Sequence, residues 1–129
     1  MDRQKQITIE QFEALLPLIC DRETSQDPDH WTPENYLCGH CAVVSQLAKV
    51  TFGGVLLRAS LLKYPEFAHM RSHYLNKLPD GTIKDFTAGQ FGNNYPQDME
   101  LQEKDSEYVL SYPETVKRYK LLADRFARM

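Results

Sequence analysis

The triplet Pro79-Asp80-Gly81, set between two β-rich runs from Ser72 to Phe86, constrains this chain more than any other local feature. Proline presets φ at the first turn position, and glycine takes the left-handed position that closes a three-residue hairpin loop built on a type I turn. That turn predicts the register: Leu78 faces Thr82 and Leu75 faces Asp85. Strand side chains alternate with a period of two, so His73, Leu75 and Asp85 project from one sheet face. His73 and Asp85 then sit on a diagonal, about 7–8 Å apart between Cβ atoms and within reach of a carboxylate–imidazole hydrogen bond. A two-residue loop would send Asp85 to the opposite face. The turn chemistry therefore decides whether these two side chains meet.

The rest of the chain predicts helices around that hairpin. Thr8 with Gln11 has the form of a capping box, and Phe12, Leu15, Leu16 and Ile19 share one helical face, which Pro17 should kink or shorten. Asp21 to Leu37 is polar, broken by Pro28 and Pro33, with Trp31 as its one large anchor. Loops this long in compact domains are usually functional or mobile. A second helix runs from Cys41 to Val50, with Val43, Val44, Leu47 and Ala48 apolar, and Gly53-Gly54 stops it. Val55 to Ala59 reads as a buried strand. Thr87 to Leu110 reads as loop with a short strand near Tyr108-Val109-Leu110. Ser111 and Glu114 suggest a second capping box, with Pro113 in the first turn of a closing helix. Val116, Tyr119, Leu122, Ala123 and Phe126 share a face of that helix. The expected architecture is one α+β domain over residues 1–129, its helices packed on a small antiparallel sheet.

Composition removes several function classes. The 129 residues are 42% hydrophobic and 26% charged, as in an ordinary globular domain. Fifteen Lys and Arg against eighteen Asp and Glu leave a net charge of −3, without the basic footprint of a nucleic-acid partner. No apolar run approaches the roughly 20 residues of a membrane span. The longest, Ala14 to Cys20, is interrupted by Pro17. Met1 to Gln6 has no apolar region of the secretory kind. Three cysteines, an odd number, argue against a closed disulfide framework. The expectation is a cytoplasmic protein with reduced thiols and no nucleic-acid or membrane partner; the sequence does not specify its oligomeric state.

Chemistry concentrates at Cys38-Gly39-His40-Cys41, where the long loop meets the second helix. A thiol at a helix N-terminus feels unpaired amides and the positive dipole end, which favour thiolate. Cys41 holds that place, and Cys38 lies about one turn earlier. Either cysteine alone is more simply a small buried hydrophobe. Singly, His73 is a satisfied, partly buried histidine and Asp85 a strand-end acid. Together with Cys41 they supply the parts of nucleophilic catalysis. Cys41 attacks an acyl carbon, His73 forms the ion pair and later protonates the leaving group, and Asp85 orients the imidazole. The Cys41 backbone amide holds the oxyanion, with the side chain of Asn35 or His40 as second donor. Trp31 reads as a core anchor that its place in the loop also leaves available as a substrate platform.

These residues fall within a longer ordered set. It runs from Glu23-Thr24-Ser25 through Trp31-Thr32-Pro33-Glu34-Asn35, Gly39-His40-Cys41-Ala42-Val43 and Phe52-Gly53-Gly54. It continues with Ser72-His73-Tyr74-Leu75-Asn76-Lys77-Leu78-Pro79-Asp80-Gly81, Asp85-Phe86-Thr87 and Gln90-Phe91. Over roughly residues 23–91 the set resembles the YunG-like bacterial proteins, a family similar to papain-like and transglutaminase-like cysteine enzymes. The resemblance implies a papain-like fold, with the nucleophilic cysteine at the start of a core helix. It also implies Cys41, His73 and Asp85, in that chain order, as the triad. The substrate would be a small molecule, peptide or protein with an amide-type bond, and no cofactor or metal is called for. Family members usually carry Gln immediately before the cysteine, and this chain has His40. If that Gln serves the oxyanion or the substrate, the departure implies altered or lost activity.

Three other readings compete. Cys38-Gly39-His40-Cys41 matches a thiol–disulfide oxidoreductase motif, with Cys38 as nucleophile, but such a motif should follow a β-strand in a βαβ unit. Asp27 to Tyr36 is polar and broken by two prolines. A zinc site on Cys38, Cys41 and His40 or His73 lacks the second ligand pair that structural zinc needs. A non-catalytic ligand- or protein-binding module would keep the cleft without Cys41 chemistry. His30 and His69 read as surface residues and Cys20 as core. The acidic run Asp98, Glu100, Glu103, Asp105 and Glu107 reads as solvated loop, and Lys117, Arg118, Lys120, Arg125 and Arg128 as a solvated helix face.

Overall fold

Helix α1 (Ile9–Ile19) starts with both capping-box bonds in place. Gln11 N–H donates to Thr8 Oγ1 at 3.0 Å, and Thr8 N–H donates to Gln11 Oε1 at 2.9 Å. Each satisfies an amide near a helix start, where partners within the helix are missing. Pro17 does not end the helix, which runs on to Ile19 and loses only the bond that a proline cannot donate. The computed structural model describes residues 6–129, so the reading of Met1 to Lys5 as lacking a secretory signal lies outside the described residues.

α2 (Cys41–Phe52) extends two residues past the expected Val50 before Gly53 turns the chain at φ +86°. Four strands follow the predicted direction but not wholly the predicted places: β1 (Val55–Ser60), β2 (Ser72–Lys77), β3 (Ile83–Lys84) and β4 (Gln102–Lys104). They form one sheet in the order β3-β2-β1-β4, every pair antiparallel. The hairpin has its three-residue loop. Leu78 N–H donates to Thr82 O and Gly81 N–H to Leu78 O, both at 2.8 Å, with Gly81 at φ +90°. Asn76 pairs with Lys84 and Lys77 with Ile83, so one further step sets Asp85 opposite Leu75.

The sequence reading fails after Thr87. Tyr108-Val109-Leu110 is not a strand; Tyr108 and Val109 belong to the short helix α3 (Ser106–Val109), capped by Asp105, whose carboxylate accepts from Tyr108 N–H at 2.9 Å. The fourth strand is Gln102–Lys104, which no apolar alternation marks and which exists through its pairing with Leu56 to Arg58. Ser111 does not cap α4 (Pro113–Ala127): the N-cap is Tyr112, without a side-chain bond, and Ser111 Oγ donates to Tyr108 O at 2.8 Å.

Helices α1, α2 and α4 bury one apolar cluster with Phe86. Phe12, fully buried, meets Phe52, Phe86 and Phe126 edge-on at ring centroid distances of 5.3, 5.0 and 5.5 Å. Burying such a ring contributes about 2–3 kcal/mol. Arg125 is not merely solvated. Its guanidinium donates to Ile19 O at 2.9 Å and pairs with Asp21 at 3.0 Å and Glu23 at 3.3 Å, fastening α4 to the end of α1. No helix among the described residues is long and apolar enough to cross a membrane.

Candidate active site

The loop before α2 is built to deliver Cys41 to the first position of the helix. Gly39 lies at φ +74°, and a Cβ there would fall 2.3 Å from Ser25 Oγ. Only glycine combines that conformation with that approach. Ser25 Oγ donates to Cys38 O at 2.7 Å, and Gln26 N–H donates to Gly39 O at 2.9 Å. His40 is fully buried. Its Nδ1 donates to Cys38 O at 2.9 Å, which leaves Nε2 to accept the Thr24 hydroxyl at 2.6 Å. Burial, the largest influence, pushes the imidazole down to about 4, so the ring is neutral. Both nitrogens are committed to the loop. His40 is a strut under the helix start and turns no donor toward an oxyanion.

His73 comes from β2, fully buried, and Asp85 from the residue after β3. The hairpin register brings them together: His73 Nε2 lies 2.6 Å from Asp85 Oδ2. A carboxylate only accepts, so Nε2 carries the hydrogen and the remaining nitrogen, Nδ1, is the basic one. Nδ1 has no hydrogen-bond partner, and the Cys41 side chain interacts with the same ring. Burial disfavours a charged imidazole. The hydrogen bond to Asp85, the adjacent Cys41 side chain and the charges of both outweigh it and raise His73 to about 9. Burial likewise tends to raise Asp85, but bonds and charge from His73, then Tyr95 and Thr87, hold its carboxyl below the usual value.

Four residues of this cluster were not read from the sequence as parts of the site. Tyr95 Oη donates to Asp85 Oδ2 at 2.6 Å, Thr87 N–H donates to Asp85 Oδ1 at 3.1 Å, and Gln90 Nε2 donates to Thr87 Oγ1 at 3.0 Å. Phe91 sets its ring edge-on against His73, at 4.9 Å and 79°. Thr87 and Gln90 stand inside the motifs quoted above, yet nothing local says which atoms they bond. Tyr95 lies in an Asn- and Gly-rich loop with no periodic signal.

A cleft of about 600 Å³ opens beside Cys41, with Asn35, Cys38 and Gln90 among its walls. Asn35 Nδ2 donates to Gln90 O at 3.2 Å, leaving one amide hydrogen free. Trp31 does not line the cleft. Its Nε1 donates to Tyr36 O at 2.9 Å, and Arg22 stacks 5.6 Å above its ring, so it braces the loop. His30 and His69 are exposed at the cleft margin, and Asp27 accepts from His30 Nδ1 at 2.9 Å. Among the described residues, no three or more His, Cys, Asp or Glu side chains gather as a metal-ligand set. A more open depression of about 640 Å³, between the loop and α4, has no nucleophilic cysteine on its walls.

A thiol at a helix start, an imidazole on the neighbouring strand and a carboxylate past the hairpin define an α+β protein with a largely buried Cys-His-Asp cluster at a cleft. The chain belongs to the YunG family, whose model, described as YunG protein, matches residues 8–129. No curated protein and no solved structure matches it.

Proposed function

We propose that this protein is a cysteine hydrolase or acyl transferase of papain-like type, acting on an amide-type bond through Cys41, His73 and Asp85. One observation carries the reading: His73 Nε2 is bonded to Asp85 at 2.6 Å while its other nitrogen is left for the thiol at the start of α2. Cys41 passes its proton to His73 Nδ1, and the sulfur forms a bond to the acyl carbon. The carbonyl electron pair moves onto oxygen, where the Cys41 backbone N–H, at a helix start without an intrahelical partner, donates to it. Collapse breaks the carbon–nitrogen bond, and the amine leaves with the proton from His73. Water, or an acceptor amine, then attacks the thioester while His73 takes its proton, and Cys41 leaves as thiolate. The open cleft admits a small molecule or an extended peptide.

The oxidoreductase reading has less support. Residues 36–39 ahead of Cys41 are turn rather than strand, and no parallel strand pair supplies a βαβ unit among the described residues. Burial, then the charge of Asp27, raises the Cys38 thiol, which disfavours it as attacking thiolate. A binding module without turnover keeps the cleft but gives no reason for a buried imidazole aligned by Asp85 beside a thiol.

The test is the pH dependence of iodoacetamide alkylation, with mass spectrometry to locate the label, on wild type and His73→Ala. Selective labelling of Cys41 well below the free-thiol value of about 8.5, weakened without His73, is expected. Slow, unselective labelling would replace this reading by the binding module. Preferential labelling of Cys38 with a reducible Cys38–Cys41 bond would replace it by the oxidoreductase.

A further inference from the structure

We infer that the side-chain amide of Gln90 is the second oxyanion donor of this site, an inference that rests on the acyl-transfer reading above. Three side chains, Gln26, Asn35 and Gln90, bring amides to the wall of the cleft that holds Cys41, and Gln26 is exposed. They differ in how they are held. Gln90 Oε1 accepts from Gly39 N–H at 3.4 Å, and Gln90 Nε2 donates to Thr87 Oγ1 at 3.0 Å. A backbone N–H only donates, so Gly39 fixes which end of the amide is oxygen and which is nitrogen. Nε2 carries two hydrogens and Thr87 takes one, leaving the other for an incoming oxyanion. The Asn35 amide is anchored at one end only, by the bond from Nδ2 to the Gln90 backbone oxygen. Donors fixed before reaction stabilise developing charge without reorganising, and Gln90 meets that condition better.

Its anchors also give Gln90 the right position. Gly39 lies two residues before Cys41, and Thr87 lies two after Asp85 and donates its N–H to that carboxylate. One side chain therefore spans from the nucleophile loop to the segment that holds the base. Residue 40 cannot serve instead, because both nitrogens of His40 are bonded beneath the helix. An amide at position 40 is thus not needed here: the chain presents one from Gln90.

The test compares two reactions of Cys41. p-Nitrophenyl acetate acylates it: the sulfur–acetyl bond forms through an oxyanion, and nitrophenolate leaves with its electron pair. Iodoacetamide alkylates it by displacing iodide at a methylene carbon, with no oxyanion. In Gln90→Met, and in Gln90→Ala as a second variant, Cys41-dependent nitrophenolate release is expected to fall about 10²-fold while alkylation keeps the wild-type rate. The alkylation rate also reports that the variant is folded. Asn35→Ala, which removes one bond to the Gln90 backbone, should lower the ratio of the two reactions less than either Gln90 variant does. Loss of acylation and alkylation in equal proportion, or a ratio that drops in Asn35→Ala and not in the Gln90 variants, would overturn the assignment. Cys41 alkylation that is His73-dependent in a wild type that p-nitrophenyl acetate never acylates would overturn the acyl-transfer reading as well.

Discussion

His73 and Tyr95 meet at a single atom: both donate to Asp85 Oδ2, each at 2.6 Å. The other oxygen of the same carboxylate accepts from Thr87 N–H. Asp85 is thus held from both sides before it orients anything, which separates the strength of the site from its geometry.

Tyr95→Phe removes one donor to that carboxylate and leaves the His73 contact. A hydrogen bond to a charged group contributes about 1.5–3 kcal/mol, and Tyr95 is only partly buried, so a loss of about 1–2 kcal/mol is expected. Urea unfolding measures it. Cys41 alkylation at neutral pH should survive in the same variant; its disappearance would show that Tyr95 holds the imidazole itself in place.

Asp85→Asn keeps an acceptor for His73 Nε2 and deletes the charge. The imidazolium is then less favoured, and the balance moves back toward neutral thiol and neutral ring. Alkylation of Cys41 at pH 6 should fall about tenfold, the equivalent of one pKa unit. Rates that converge with wild type above the free-thiol value of about 8.5 would show that only the ion pair was lost. An unchanged rate at pH 6 would remove Asp85 from the site.

Two buried histidines set the pH dependence of stability in opposite directions. His73 is raised from 6.5 to about 9, so its contribution is complete below 6.5 and is lost as pH rises through 9. His40 is lowered from 6.5 to about 4, so its contribution is present above 6.5 and is lost as pH falls toward 4. Each limb has a limiting slope of about 1.4 kcal/mol per pH unit. Unfolding free energy should peak near pH 6.5, measured by urea titration. His40→Gln should flatten the acid limb and His73→Gln the alkaline one. A wild-type profile level from pH 4.5 to 9 would contradict both assignments.

Gly39→Ala tests the loop. The left-handed conformation alone costs a residue with a Cβ about 1–2 kcal/mol, and the 2.3 Å approach to Ser25 Oγ adds to it. A loss of more than about 2 kcal/mol is expected, seen as a lower Tm in calorimetry. Alanine at the wild-type Tm would mean that the loop repacks freely around residue 39.

The parts of this fold that were legible are those fixed by local chemistry. Thr8 and Gln11 cap a helix through atoms three residues apart, and Pro79-Asp80-Gly81 sets a register that carries His73 to Asp85. β4 was illegible because Gln102-Glu103-Lys104 has no strand pattern; its partners on β1 make it a strand. Asp105, read as solvated loop, caps α3, whose four residues are too few to show a helical period. At the site, Asn35 and Cys41 reach one cleft, whereas His40 turns under the helix and Trp31 braces its own loop. Tyr95 and Gln90 were invisible because their bonds are set by irregular backbone, where neither spacing nor composition says who faces whom.

Asp85 and Tyr95 begin and end an eleven-residue segment, and the side chain of one is bonded to that of the other. Few backbone bonds tie this stretch to the sheet, since β3 ends at Lys84 and the next strand starts at Gln102. Side chains hold it instead: Asp85 grips Tyr95, and the side chains of Asn35 and Gln90 tie the stretch to the loop before α2. The ring that packs edge-on against His73 is thus placed by polar side-chain bonds rather than by a strand ladder.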